Sequence, residues 1–291
     1  NNHSMSFDGV NDYTQLGYPF NFGLSSVTIS IDCRLDDFGE NEYENYSYIV
    51  GVPIKGIYNE QGFKIQTTSQ NSIYGNDGFA IHIGDGNGLY HELTYSNNIQ
   101  IGNWYNLTLV IDRSSNQFLF YLDGQLVNLL TISSSFDNID LGIPISLGVQ
   151  SEDLYHYLNG ITDNFHIWNI ALTQQEIQNY INCPPTGNEA GLVGYWNFEE
   201  GSGNTAYDLS PNGNNGTING AAYSTNVSAQ SCTFTNLNGC DSTAILNLTI
   251  NNSVLSSNTQ SICSGQSITV GSNTYSTTGT YIDLLTTVDG C

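Results

Sequence analysis

Between residues 102 and 127 apolar and polar side chains alternate with a period of two. Trp104, Asn106, Thr108 and Val110 fall on one side and Tyr105, Leu107, Leu109 and Ile111 on the other. After the polar break at 112–116 the alternation resumes over 117–123. Successive side chains of a strand point to opposite faces, so period two on both sides of a short polar turn predicts a β-hairpin. Asp123-Gly124 adds a second tight turn, because glycine accepts positive φ and aspartate tolerates it. A three-stranded sheet with one apolar face needs a second layer to cover it. Further short runs at 48–52, 62–67, 78–83 and 89–95 are bounded by Gly, Asn or Asp, and residues 1–35 give two or three strands with turns at Asp8-Gly9 and Asn11-Asp12. Many short strands without an intervening helical pattern predict an all-β, antiparallel sandwich. One helix is signalled: Thr173-Gln174-Gln175-Glu176 is a capping box, Ile177, Tyr180 and Ile181 form an apolar stripe, and Cys183-Pro184-Pro185 stops it.

Four ordered motifs carry a resemblance: SMSFDGVNDYTQL at 4–16, the hairpin string at 102–127, ISLGV at 145–149 and LNGITDNFHIWNIALTQQEIQNY at 158–180. Together they resemble a laminin-G-like domain of the concanavalin A-like lectin superfamily, which implies a jelly-roll sandwich over residues 1–231. That fold hosts lectins, adhesion modules and enzymes alike, so it does not choose a ligand. Residues 190–223 resemble the segment that more often opens such domains, yet follow the closing strand and helix. Two arrangements are open, a fold-back that completes the same sandwich or a truncated second copy. Fold-back is favoured, because ~40 residues cannot bury a sandwich core of their own, and it makes Trp196 and Phe198 core residues.

From Cys232 the composition shifts to Ser, Thr and Asn, and TNLNGC at 235–240 recurs as TTVDGC at 286–291, a period of 291 − 240 = 51 residues. A fixed period implies an array in which each unit leans on its neighbours. With the strand DSTAILNLTI, this part resembles the small Ig-like β repeats of large surface adhesins of gliding Bacteroidetes. The implied boundaries are 232–250 for the end of one repeat and 251–291 for the start of the next. Asp241-Ser242-Thr243 also matches the short motif at which Bacteroidetes attach O-glycans, with Ser242 the acceptor; an Asx-turn is the alternative.

Composition narrows the function. Four Lys and Arg against 27 Asp and Glu give a net charge of −23, so the cationic surface that phosphate neutralisation requires is missing. Nucleic acid is thereby excluded as a partner, and so is an anionic membrane. No stretch approaches the ~20 apolar residues of a membrane span, and no signal peptide opens the chain, which suggests a segment of a longer, cell-surface protein. The six cysteines lack CxxC spacing, which points to disulfides and an extracellular setting. The expected pairs are Cys263 with Cys291, Cys232 with Cys240, and Cys33 with Cys183; mid-strand Cys33 as a buried free thiol is the alternative.

Catalysis is not expected. A glucanase-type site needs paired carboxylates directed into one cleft, whereas Glu42 and Glu44 lie in an acidic loop and Glu199 and Glu200 are adjacent, facing opposite ways in a strand. There is no GxSxG elbow, and the five histidines show no paired spacing. Calcium is the better chemical candidate, because hard cations take six to eight oxygens from carboxylates, amides and turn carbonyls. Asp8, Asn11 and Asp12 make one such set, and Asp208, Asn212 and Asn214 another. The resemblance implies that the latter loop and Asp163 lie near a structural Ca²⁺. By similarity to pentraxin lectins, Glu152 and Asp153 are a further pair, and in every case Asx-turns without metal are the alternative. A jelly roll binding polysaccharide or surface glycan stacks exposed rings on sugar faces, for which Tyr90, Tyr95, Tyr155 and Tyr157 are the candidates. A spacer that binds neighbouring repeats of the same long chain but no sugar is the other reading.

Overall fold

The computed structural model describes residues 2–17, 22–39, 46–51, 61–71, 76–139, 142–150, 155–232, 259–261, 263–270, 272–277 and 279–281. Two compact units result, Asn1–Ser231 and Cys232–Cys291. The strands of the first are β1 (Ser4–Asp8), β2 (Tyr13–Gln15), β3 (Val27–Leu35), β4 (Tyr48–Gly51), β5 (Gln61–Thr68), β6 (Gly78–Asp85), β7 (Tyr90–Tyr95) and β8 (Trp104–Asp112). They continue with β9 (Gln117–Leu122), β10 (Gln125–Thr131), β11 (Ser146–Leu147), β12 (Asn159–Trp168), helix α1 (Gln174–Asn182), β13 (Leu192–Trp196), β14 (Thr205–Ala206), β15 (Gly216–Asn219) and β16 (Ala222–Ser224).

Two antiparallel sheets form the sandwich. Sheet A runs β10-β9-β8-β3-β12-β1-β16, with β13 pairing the far half of β12; sheet B runs β14-β15-β2-β11-β4-β5-β6-β7. The sequence-predicted hairpins close as expected. Asp123 (φ 49°) and Gly124 (φ 70°) take left-handed conformations, the demand that a two-residue hairpin turn makes of its residues, and Asn116 (φ 53°) ends the longer β8–β9 loop in the same region. The late segment joins both sheets: Phe165 to Trp168 pair with β13, Ser4 to Ser6 with β16, and β2 with β15.

Alternation sorts the side chains. Ile29, Ile31 and Leu35 of β3, Leu107 and Leu109 of β8, and Phe165 of β12 enter one core with Phe63, Ile65, Phe79 and Ile81 of sheet B. Trp196 and Phe198 are fully buried in it. The opposite, outer face of sheet A carries a second apolar cluster, Val110, Leu119, Tyr121 and Trp168, with Leu172, Leu192, Tyr195 and Ile177 of α1. The α1 capping box is formed, Thr173 accepting from the Glu176 backbone and Glu176 from that of Thr173.

The cysteines depart from expectation. Cys33 is a free thiol, fully buried on the core face of β3, and burial pushes it well above its ordinary pKa. Cys183 caps the helix on the other side of sheet A, so the expected Cys33–Cys183 bridge is replaced: Cys183 and Cys232 are each disulfide-bonded. Cys240, Cys291 and Ser242 lie outside the described residues. In the second unit the described residues include a hairpin, β17 (Ile268–Val270) with β18 (Asn273–Tyr275). The Ig-like expectation falls mostly on residues outside those described.

Candidate functional site

The outer face of sheet B, turned away from the core, is the first place where chemistry gathers. Strand register aligns one residue from each of eight strands into a row: Thr205, Thr217, Gln15, Ser146, Gly51, Lys64, His82 and Glu92. Seven are polar and the eighth is glycine. This follows from alternation, since the flanking positions Phe63, Ile65, Ile81, Ile83 and Leu93 are spent on the core. Beside the row, Gln66 pairs across to Tyr48 and Ala80. An aromatic group lies at the β4 end: Tyr46 stacks on His156 at 4.4 Å and meets Tyr48 edge-on at 5.6 Å. Lys64 sits 5.9 Å above the Tyr48 ring.

Electrostatically this face is quiet. His82 is 1 % exposed, and burial, helped by Lys64, lowers it to about 2. Its Nδ1 approaches Glu92 at 3.3 Å and also meets the Tyr90 hydroxyl. Burial keeps the imidazole neutral at physiological pH, so its contact with Glu92 is not an ion pair. Two polar atoms of this face, Gln66 Oε1 and Ser146 Oγ, are buried without a hydrogen-bond partner.

A second polar group sits on the outer face of sheet A. Asp32 of β3 lies opposite Asp163 of β12, and just beyond them two residues of β12 face one of β3, a bulge with Asn164 at φ 47°. Asp32 accepts from Asn106 Nδ2 (2.8 Å), Asn164 Nδ2 (3.0 Å) and Ser228 Oγ (2.8 Å). Asp163 Oδ2 is 3.4 Å from the same Ser228 hydroxyl, and its Oδ1 accepts from the Asn164 N–H at 2.8 Å. Both carboxylates are buried, at 6 % and 0 % exposure; burial raises Asp32, against the pull of its three donors. Tyr195, whose hydroxyl donates to Asn164 Oδ1 at 3.2 Å, is pushed well up by burial and by Asp163 and Asp32. A pocket of about 150 Å³ opens here, lined by Asn164, Tyr195, Asn197, Glu199 and Gln230.

Among the described residues no group of three or more His, Cys, Asp or Glu converges. Asp208 accepts from the N–H groups of Tyr195 (3.0 Å), Ser210 (2.8 Å) and Asn214 (2.8 Å) and from Ser210 Oγ (2.9 Å). A carboxylate offers about four lone-pair sites, and these four donors meet them. Asn212 and Asn214 turn their amide N–H groups to the Val193 carbonyl. Asp8 and Asp12 close a turn, Asp12 Oδ2 accepting from the Asp8 N–H at 3.1 Å, while Asn11 is exposed. Glu152 and Asp153 lie outside the described residues.

Of the four tyrosines, Tyr90 belongs to the outer face of sheet B at 39 % exposure. Tyr155 (65 % exposed) and the half-buried Tyr157 flank His156. Tyr95 is a correction: opposite Phe79, it packs on the core, because β7 turns its odd positions inward. Tyr46, Tyr48, Lys64, Gln66 and His156 were not singled out from the sequence. The two-residue spacing of Lys64 and Gln66 in β5 was visible, but the register that sets them beside Tyr48 was not, and Tyr46 and His156 lie outside both strands.

No curated protein matches the chain in sequence. Among solved structures, a "putative carbohydrate binding protein" from Bacteroides ovatus superposes with a TM-score of 0.60 at 16 % identity, covering 77 % of this chain and 60 % of that one. The chain thus spans three-fifths of the Bacteroides protein's length. The heptameric SAP-like pentraxin of Limulus polyphemus gives a TM-score of 0.50 at 13 % identity, covering 75 % of this chain and 94 % of that one. Both likenesses concern the fold alone. A family model described as the concanavalin A-like lectin/glucanases superfamily matches residues 8–178, more than half of the sequence, and to that superfamily the chain belongs.

Proposed function

We propose that this chain is a non-catalytic glycan-binding module of an extracellular, cell-surface adhesin, and that it takes polysaccharide on the outer face of sheet B. The observation that carries this reading is the polar row crossing all eight strands, with Tyr46, Tyr48 and His156 at its side. Rings stack on sugar C–H faces where they are exposed, as Tyr90 and Tyr155 are, while Tyr48 and Gln66 are buried beside them. The likeness to the Bacteroides ovatus protein, given its name, supports a carbohydrate ligand. The disulfide-bonded cysteines support an oxidising compartment, and no helix among the described residues is long and apolar enough to cross a membrane. Retention of the chain on a panel of immobilised polysaccharides tests the reading. Tyr90→Ala and Tyr155→Ala are each expected to weaken the retained ligand by about ten-fold, on the order of 1.4 kcal/mol. A chain that ignores the whole panel is a spacer instead.

Calcium belongs to the proposal at one place only. Asp32 and Asp163 are two buried carboxylates that meet at the Ser228 hydroxyl. A divalent ion held by them would neutralise charge that the fold otherwise buries at a cost. Its role would be structural. The expected outcome is a thermal midpoint raised by calcium and lowered by EDTA, with a gain near 2.7 kcal/mol at a hundred-fold excess over Kd, and no such shift in Asp163→Asn. Identical melting with and without chelator removes calcium from the account.

A further inference from the structure

We infer that the glycan taken on this face is uncharged. The inference rests on the reading of sheet B as a glycan face and narrows it by charge. Acidic sugars carry carboxylate or sulfate, and proteins hold such groups with the planar fork of arginine or with clustered cations. The chain has four cationic side chains in all. Arg34 is on sheet A, bound to Asp36 at 2.8 Å and to the Gly102 carbonyl at 3.0 Å. Arg113 donates to the carbonyls of Phe136 and Asp137 and lies over the Phe136 ring. The fourth, Lys55, is outside the described residues.

Lys64 is therefore the cation this face presents among the described residues, lying 5.9 Å over the Tyr48 ring. In the same row stands Glu92, with the neutral His82 between them. The row thus carries one residue of each sign, and globally the chain is at −23, a field that repels anions before they arrive. What the face does offer at its surface, Gln15, Thr217, Thr205 and the Tyr90 ring, suits hydroxyls and C–H surfaces.

The full chain is run by affinity electrophoresis through gels containing dextran, laminarin or galactomannan, and through gels containing polygalacturonate, alginate or chondroitin sulfate. Each run is made at low and high salt, with EDTA and with calcium. The expected result is retardation by at least one neutral polymer and by none of the acidic ones, changing less than about two-fold with salt, since no screened charge pair is involved. Retardation by an acidic polymer, in EDTA or through a calcium bridge, overturns the charge inference and leaves the glycan reading standing. Retardation by no polymer overturns both.

Discussion

His166 shows how much one buried side chain decides. It lies on the outer face of β12, accepts from Trp168 Nε1 at 2.8 Å, and burial lowers it to about 3. The unfolded imidazole, near 6.5, binds protons that the folded one refuses. Its stabilising contribution is therefore complete above about pH 6.5 and is lost as pH falls below that. His82, lowered to about 2, acts in the same sense. Asp32 and Asp123, both raised by burial, act in the opposite sense, their penalty easing as pH falls. A difference measurement isolates the histidine: the stability gap between wild type and His166→Asn should narrow by up to about 1.4 kcal/mol per unit as pH drops from about 6.5 to 4.5. A gap flat in pH would refute the assignment. Asp208 offers a second check. With four donors on its carboxylate, Asp208→Ala should destabilise by about 3 kcal/mol, read from denaturant midpoints with chelator present. That Asp208 would matter was legible from its Asp-Leu-Ser-Pro-Asn-Gly loop. Whether its oxygens would face donors or a cation was not, because donors and cations reward the same residue types.

At the level of elements, the turns were the readable part. Asp123-Gly124 and the Thr173–Glu176 box are local signals, fixed by residues within four positions of one another. Thr173→Ala should cost about 1 kcal/mol, measured by equilibrium unfolding. The β12 bulge, by contrast, is a long-range feature. No local signal says that Asn164 will be the extra residue; that depends on β3 fitting alongside, as does the meeting of Asp32 with Asp163. Gly148 is similar. Its φ is +82°, and an added Cβ would stand 2.5 Å from Phe7 Cδ1 of β1, about 140 positions back in the chain, so Gly148→Ala should cost about 2 kcal/mol or more. Unchanged thermal stability in that variant would mean that the loop yields more easily than its packing suggests.

Over the whole molecule, alternation and motif order made the two-layer β architecture readable, while the row across sheet B was not. Register places Lys64 beside His82 and His82 beside Glu92, and register is settled by how the entire inner face packs. Sheet A in turn holds its first strand between two late arrivals: β1 pairs with β12 on one side and with β16 on the other, Ser4 opposite Ser224. A load applied between Ser4 and Ser224 would pull on the same end of one antiparallel pair. Its ladder would open like a zipper, one bond after another, instead of resisting in shear as a set. The module would then yield at its seam under modest force and reseal when tension is released, a compliant joint that single-molecule pulling between those two residues would register as a low, reversible plateau.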